Sequence, residues 1–219
     1  YRFTKSLALT KEDNNTTYRA YMDEKVVFTG ADELPAGQFA RVTDEAVLSR
    51  IVDKKARNFI YAIDLKATGI TDYGTLAPYG NGEKEIVYDP ALFVDDERLT
   101  LSRYPNEGYL TTGNVAETGT ALTKADEVRE IKYSKFEVAD SRLQKWDKAE
   151  DIWAFGYFMH DWAESNIPVQ IEGNTVTAKH LTYAGVVSNR RLYFYNLLEE
   201  LDQAGEYYLD RANGTLYLY

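Results

Sequence analysis

The sequence contains no cysteine, which excludes disulfide bridges, thiolate metal sites and cysteine nucleophiles. Its two histidines, His160 and His180, lie 20 residues apart, and this spacing matches no familiar metal-binding motif. No apolar run approaches the roughly 20 residues that a membrane-spanning helix needs. Acidic residues outnumber basic ones by 35 to 25, and phosphate recognition needs clustered basic side chains. We therefore expect no metal, no cofactor, no membrane span and no nucleic-acid partner.

Tyrosine is abundant instead, with 18 residues in a chain of 219 that is 44% hydrophobic. This composition is sufficient for a folded core and is unlike that of a disordered chain. Tyrosine favours β-strands, and its apolar ring with a polar tip suits the face of a sugar. Tyrosine-rich sheets also occur without any ligand, so composition alone does not assign a function.

Short alternating segments bounded by Gly, Pro, Asn and Asp predict an all-β fold. Gly173-Asn174 and Asn213-Gly214 suit tight hairpin turns, and Asp95-Asp96 suits a third. Two short helical segments are also expected, over residues 46–52 and 196–203. Thr43 or Asp44 could cap the first of them.

The predicted architecture is a β-sandwich or partial barrel over residues 43–219, preceded by short β-helix-like coils over residues 1–42. The last segment, from Thr215 to Tyr219, alternates as a strand and has no closing turn or polar tail. Such a strand exposes unpaired backbone groups. We therefore expect the chain to be a piece of a longer protein.

The densest aromatic segment is residues 152–162, which predicts one long strand. Alternation places Trp153, Phe155 and Tyr157 on one face of that strand. These rings could stack on sugars while His160 and Asp161 bind hydroxyl groups, or they could form a buried core strand. We favour the core because burial is the main stabilising use of large aromatic side chains.

A second candidate is the turn that follows the strand ending at Arg103. Pro105 favours an extended conformation at Tyr104, which would hold Arg103 and Tyr104 at a strand end. That position could face a ligand or dock against another domain, or it could be a structural turn with an arginine–carboxylate pair.

Aromatic residues in or beside turns are the best candidates for contacting a glycan, because their side chains can remain exposed. Polar neighbours would then fix the orientation of a sugar ring. The predicted contacts are Tyr73, Tyr79, Tyr104, Tyr109, Trp146 and Trp162, with Arg103, His160 and Asp161. A glycosidase needs two carboxylates about 5–10 Å apart, and the sequence does not single out such a pair among its acids. We therefore assign no catalytic residue.

Residues 92–108, 151–162 and 196–210 resemble the N-terminal part of large right-handed parallel β-helix proteins, which include glycoside hydrolase family 141-like enzymes. Residues 17–30 resemble an early coil of that helix. The resemblance implies early coils over residues 1–42 and an inserted β-rich accessory domain over residues 43–219. It places the catalytic acids in later coils and associates the parent with secretion or the cell surface.

These observations predict a non-catalytic accessory region of a carbohydrate-active β-helix protein, which could contribute glycan contacts. Its expected partners are a polysaccharide or oligosaccharide and the remaining β-helix of the parent chain. Two alternatives stay open: an autonomous glycan-binding module, and a part of a glycosidase or polysaccharide lyase active site.

Overall fold

The computed structural model describes residues 1–84 and 90–219. They fall into two units, Tyr1–Gln38 and Phe39–Tyr219, which we call unit 1 and unit 2.

Unit 1 has little regular structure. A 3₁₀ turn at Lys11–Asp13 is stabilised by a capping box between Thr10 and Asp13. An isolated parallel bridge joins Arg2 to Thr29. The unit is described throughout, and none of its residues is buried. The expected β-helix-like coils over residues 1–42 stay a prediction.

Unit 2 consists mainly of short strands. In chain order, those found in its described residues are β1 (Ala40–Arg41), β2 (Tyr61–Asp64), β3 (Tyr79–Gly80), β4 (Phe93–Val94), β5 (Glu97–Arg98), β6 (Thr100–Leu101), β7 (Arg103–Tyr104), β8 (Leu110–Thr111), β9 (Val115–Glu117), β10 (Lys135–Glu137), β11 (Trp153–Gly156), β12 (Ser165–Glu172), β13 (Thr175–Ala178), β14 (Arg191–Tyr195), β15 (Glu206–Asp210) and β16 (Thr215–Leu218). One α-helical segment, α1 (Glu45–Leu48), lies between β1 and β2. Short 3₁₀ turns connect other elements, at Ala56–Phe59, Lys66–Thr68, Leu122–Glu127, Ser141–Lys145 and Leu198–Glu200.

The described strands form two main sheets. The smaller has the order β1-β2-β16-β15-β6, and the larger has the order β7-β14-β11-β12-β13-β10-β9. In the larger sheet, β3 also pairs with β12 and β8 also pairs with β14, while β4 and β5 form a separate hairpin. Pairing is antiparallel except between β15 and β6. The described strands close no barrel, and the all-β, sandwich-like prediction is confirmed. Among the same residues, no helix has the length and apolar character needed to cross a membrane.

The three predicted hairpins are confirmed. β12 and β13 pair up to Glu172 and Thr175, so Gly173-Asn174 is the connection. β15 and β16 pair up to Asp210 and Thr215 around Asn213-Gly214. Asp95 and Asp96 connect β4 to β5 with φ angles of 49° and 68°. This left-handed backbone matches the twist of a two-residue hairpin.

The two expected helical segments are shorter than predicted. Asp44 caps α1 by accepting a hydrogen bond of 2.8 Å from the backbone of Ala46, and the helix ends at Leu48. The second segment contains only the 3₁₀ turn Leu198–Glu200. A single turn has few hydrogen bonds of its own, so it is stabilised mainly by tertiary packing of its side chains.

The aromatic segment over residues 152–162 is not one long strand, because β11 ends at Gly156. A Cβ atom at Gly156 would lie 2.7 Å from the ring of Phe158, so the glycine makes room for that ring as the chain turns. Trp153 is buried, as expected. Phe155 and Tyr157 are only half-buried, and Phe155 packs against a buried cluster of Leu76, Trp153 and Tyr195. The assignment to the core is therefore wrong for Tyr157 and only partly correct for Phe155.

The main core lies on the opposite face of the larger sheet. There the alternation of β11 and β14 directs Ala154, Leu192 and Phe194 inward. A second buried cluster includes Ile51, Leu201 and Tyr208.

On the outer face of β11 and β14, Trp153 and Tyr195 are buried with Leu76. The rest of that face, with the half-buried Phe155 and Tyr193, is left to form a surface.

Candidate functional site

Four aromatic side chains form a continuous patch on the outer face of β11 and β14. Phe155 and Tyr193 are cross-strand partners, and their rings stack with centroids 4.9 Å apart at 18°. Tyr109 lies 6.1–6.4 Å from the rings of Phe155, Tyr157 and Tyr193. We call Tyr109, Phe155, Tyr157 and Tyr193 the aromatic stripe.

Two arginines lie over the aromatic stripe. The guanidinium of Arg103 is 3.6 Å from the ring centroid of Tyr193, and that of Arg191 is 4.7 Å from the centroid of Tyr157. At these distances a cation is attracted to the negative face of an aromatic ring. The ring of Tyr193 therefore contacts both Phe155 and Arg103, and the guanidinium of Arg103 covers the ring.

The turn after β7 fixes the side chain of Arg103. Its Nε and Nη2 atoms each donate a hydrogen bond of 2.9 Å, to the carbonyl oxygens of Pro105 and Gly108 respectively. The charge is thus held by backbone carbonyls and an aromatic ring. The structural interpretation of this turn expected an arginine–carboxylate pair, but in the structure the Arg103 side chain binds these two carbonyl groups.

A cleft of about 310 Å³ adjoins the stripe and shares Arg103 and Tyr193 with it. This volume is at the lower end of the range for small-molecule sites. The aromatic and charged residues that line it are Tyr79, Tyr193, Tyr195, Tyr207, Arg98 and Arg103. The cleft lies where β6 leaves the smaller sheet and β7 joins the larger one, so residues from both sheets reach it.

The described lining of the cleft is basic. It includes two arginines and no aspartate or glutamate. In the described part of the chain, neither Arg98 nor Arg103 forms an ion pair with a carboxylate. Burial raises the pKa of Tyr193, and the positive charge of Arg103 partly opposes this effect. The Tyr193 phenol is therefore neutral and can donate a hydrogen bond.

The predicted residues His160, Asp161 and Trp162 form a turn that adjoins the stripe. The rings of His160 and Trp162 stack at 5.4 Å with an angle of 8° between them. The Asp161 carboxylate lies 3.7 Å from Arg191, which in turn covers Tyr157. Trp162 is 61% exposed. This turn therefore extends the surface and presents a largely exposed indole.

The structure brings together six of the nine predicted contact residues. Tyr79 lies in the cleft, and Arg103 lies both in the cleft and over the aromatic stripe. The other four follow the stripe and its adjoining turn: Tyr109, His160, Asp161 and Trp162.

The remaining three predicted residues have structural contacts. Trp146 is only 4% exposed, so its expected exposure at a turn is wrong. Its Nε1 atom donates a hydrogen bond of 2.5 Å to Glu200. Tyr104 is half-buried beside Trp146 and donates to Asp140 over 3.1 Å. Tyr73 packs against Gly214 in the β15–β16 hairpin and is not among the described residues of the cleft.

Sequence reasoning missed several residues of this surface. Tyr195, Tyr207 and Arg98 line the cleft. Tyr193 belongs to the aromatic stripe, and Arg191 lies over it. The run from Arg191 to Tyr195 carries a usable signal, because alternation places residues 191, 193 and 195 on one face. Recognition of β14 would have identified it.

The acids with the strongest structural contacts are buried and are not among the described residues that line the cleft. Glu206 accepts hydrogen bonds of 3.1–3.3 Å from the backbone amides of Arg103, Asp202 and Gln203. Burial nevertheless raises its pKa from 4.5 to about 7. Glu200 is buried, and it accepts a forked pair of hydrogen bonds from Arg142. In the described residues, no group of three or more His, Asp or Glu is placed to hold a metal ion.

No protein-family model matches the chain, and no curated protein matches it. Among solved structures, a chain named "Glycoside hydrolase" is similar, with 16% sequence identity and a TM-score of 0.41. The similarity covers 73% of this chain and 26% of that one, so this chain spans about a quarter of that structure's length. A TM-score this low does not establish a shared fold. Membership of the parallel β-helix group, and of family 141 in particular, therefore stays a prediction.

Proposed function

We propose that this chain is a non-catalytic accessory region of a larger carbohydrate-active protein and that unit 2 binds a saccharide. The observation that carries the proposal is the cleft, where tyrosine rings and arginine side chains converge beside the aromatic stripe. Aromatic rings offer apolar faces to the C–H groups of a sugar. Phenol and guanidinium groups offer hydrogen bonds to its oxygen atoms.

The lining of the cleft supports a binding role over a catalytic one. Glycoside hydrolysis uses two carboxylates across the substrate, and the described lining has none. Glu200 and Glu206 are buried and bonded to Arg142 and to backbone amides. Neither is among the described residues that line the cleft.

The surface of unit 1 supports the proposal that the chain packs against more protein. None of its residues is buried, and its large apolar side chains are strongly exposed. Those exposed by more than 60% include Tyr1, Tyr21, Met22 and Phe28. Large exposed apolar side chains in one short unit are typical of an interaction surface. We propose the remaining β-helix of a secreted or cell-surface parent as the partner, in agreement with the sequence resemblance.

The proposal is tested by titrating the purified chain with neutral and acidic oligosaccharides by NMR and calorimetry. We expect weak binding, with Tyr193→Ala lowering the affinity by about tenfold, because the variant removes both a side chain of the cleft lining and the ring that supports Arg103. Tyr133→Ala is the matched control, since Tyr133 is exposed and does not line the cleft. Absence of binding to every saccharide would refute the proposal.

Two assays separate the alternatives. Reducing-end detection reports hydrolysis, and ultraviolet absorbance of unsaturated products reports lyase cleavage. Turnover that disappears when one acid of this chain is changed would establish the enzymatic alternative. An autonomous module would bind with the same affinity alone and within the parent, whereas an accessory region would also change the parent's activity on polymers when deleted.

A further inference from the structure

We infer that the cleft recognises an acidic saccharide, with Arg98 and Arg103 binding a carboxylate or sulfate group. The inference rests on the proposed saccharide binding and adds the chemical class of the ligand. Its basis is the convergence of two arginines without a carboxylate partner, among the described residues, on a cleft lined by tyrosines.

Arg103 is pre-organised to receive an anion. Two backbone carbonyls fix its Nε and Nη2 atoms, and the ring of Tyr193 supports its plane. A side chain held in this way loses little conformational freedom when a ligand binds. These contacts satisfy hydrogen bonds but leave the net charge uncompensated.

Arg98 supplies the second charge from a different element. It lies at the end of β5, directly after the Asp95-Asp96 turn, and is exposed. Alternation along the strand directs Glu97 to the other side, and Glu97 is not among the lining residues. Glu97 therefore does not neutralise Arg98 within the cleft.

An anionic ligand fits these charges better than a neutral one. A neutral sugar in the cleft would remove water from two arginines without supplying a counter-charge, which is unfavourable. A carboxylate or sulfate would compensate them through charge-assisted hydrogen bonds. The chain carries a formal net charge of −10, so an acidic saccharide would be repelled by most of the surface and attracted only where arginines converge.

The test compares four probes by calorimetry: a galacturonic acid oligosaccharide, its methyl ester, a sulfated galactan oligosaccharide and the corresponding neutral galactan. The ester retains the sugar ring and removes the charge. We expect the acid to bind at least about tenfold more tightly than the ester, as for one charge-assisted hydrogen bond. We also expect added salt to weaken binding of the acid and to have little effect on the ester.

The variants are Arg98→Gln and Arg103→Lys, with Arg129→Gln as control. Arg98 and Arg129 are both exposed, so their substitutions test charge without disturbing a core. Arg98→Gln should lower affinity for the acidic probe about tenfold and leave affinity for the neutral probe unchanged. Arg103→Lys keeps the charge but loses the two hydrogen bonds to Pro105 and Gly108 that position it, and should weaken binding of the acid by a smaller factor. Arg129→Gln should change neither affinity.

The outcomes separate this inference from the proposed function. Preference for the uronate or for the sulfate supports the inference and identifies the source of the anion. Equal affinity for acid and ester overturns the inference while saccharide binding stands. Acid binding that is unchanged by both variants, each confirmed as folded by its circular dichroism spectrum, also overturns it. Absence of binding to all four probes refutes the proposed function and this inference together.

Discussion

Substitution of Arg142 by methionine should destabilise unit 2 strongly, because it leaves a buried carboxylate without its main partner. Arg142 binds Glu200 through Nε–Oε1 and Nη2–Oε2 contacts of 2.8 and 2.7 Å. The Glu200 side chain is 0% exposed, while that of Arg142 is 26% exposed. Arg142 also contacts Asp202 at 3.2 Å, so one substitution affects two acids.

The expected loss follows from this geometry. Removal of one partner from a buried ion pair costs about 3–5 kcal/mol. The arginine is partly hydrated, and the indole of Trp146 would still donate to Glu200. Both features reduce the loss, so we expect about 3 kcal/mol, at the lower end of that range.

Urea denaturation followed by circular dichroism measures this loss as a lower midpoint with an unchanged slope. The double variant Arg142→Met, Glu200→Met removes both charges and should recover at least about 1 kcal/mol of the loss, since an apolar pair leaves no charge buried. A single-variant loss below about 1 kcal/mol would refute the reasoning, because it would match an exposed ion pair. Recovery of no stability in the double variant would also contradict it.

Three other predictions concern stability, pH and the division between structural and binding residues. Gly156→Ala should cost about 1–3 kcal/mol of stability by overpacking, because its Cβ would lie 2.7 Å from the buried ring of Phe158. Gly37→Ala is the control, since a Cβ there would have nothing within 4 Å. Equal melting temperatures for the two variants would contradict the prediction. Burial raises the pKa of Glu206 to about 7, so the stabilisation that this group gives when protonated is complete below its unfolded pKa near 4.5 and is lost as pH rises through about 7. Glu206→Gln should remove this part of the pH dependence in urea denaturation between pH 4 and 8, and an unchanged profile would refute it. Tyr104→Phe should cost about 1 kcal/mol of stability by losing its hydrogen bond to Asp140, and saccharide affinity should stay constant. Trp162→Ala should change stability by less than about 0.5 kcal/mol and should lower saccharide affinity in calorimetry. The opposite pattern would reverse the two assignments.

The features that the sequence predicted well depend on residues close together in the chain. The turns at Asp95-Asp96, Gly173-Asn174 and Asn213-Gly214 need a left-handed backbone, which Gly, Asn and Asp favour. Each of these turns can be recognised from a stretch of about four residues. The cap of α1 by Asp44 is equally local. The class of the fold follows because many such turns separate short alternating segments.

The burial of Trp146 could not be predicted in this way. Its indole is held by Glu200, 54 residues further along the chain, and the same carboxylate also binds Arg142. Each of these residues is polar enough to lie at a surface. Only the folded arrangement pairs them, and that pairing has no local pattern.

The aromatic stripe was half predictable. Alternation correctly placed Phe155 and Tyr157 on one face of the chain, but it does not say which face of a sheet meets the core. That choice depends on Leu192 and Phe194 in the neighbouring strand, which supply the buried side. The position of Arg103 at a strand end was predictable because Pro105 marks where the strand stops.

The order of the smaller sheet has a consequence for the order of folding. The β15–β16 hairpin, from the last residues of the chain, lies in the middle of that sheet, with β2 on one side and β6 on the other. During synthesis, β2 and β6 emerge long before the strands that join them. Until then, each has an edge with unpaired backbone groups. Closure of this sheet is therefore a late event with long sequence separation, such as Leu101 with Tyr207, and such pairing is slow. A ribosome-bound chain that stops before residue 206 should therefore expose the unpaired edges of β2 and β6, and such edges are prone to aggregation.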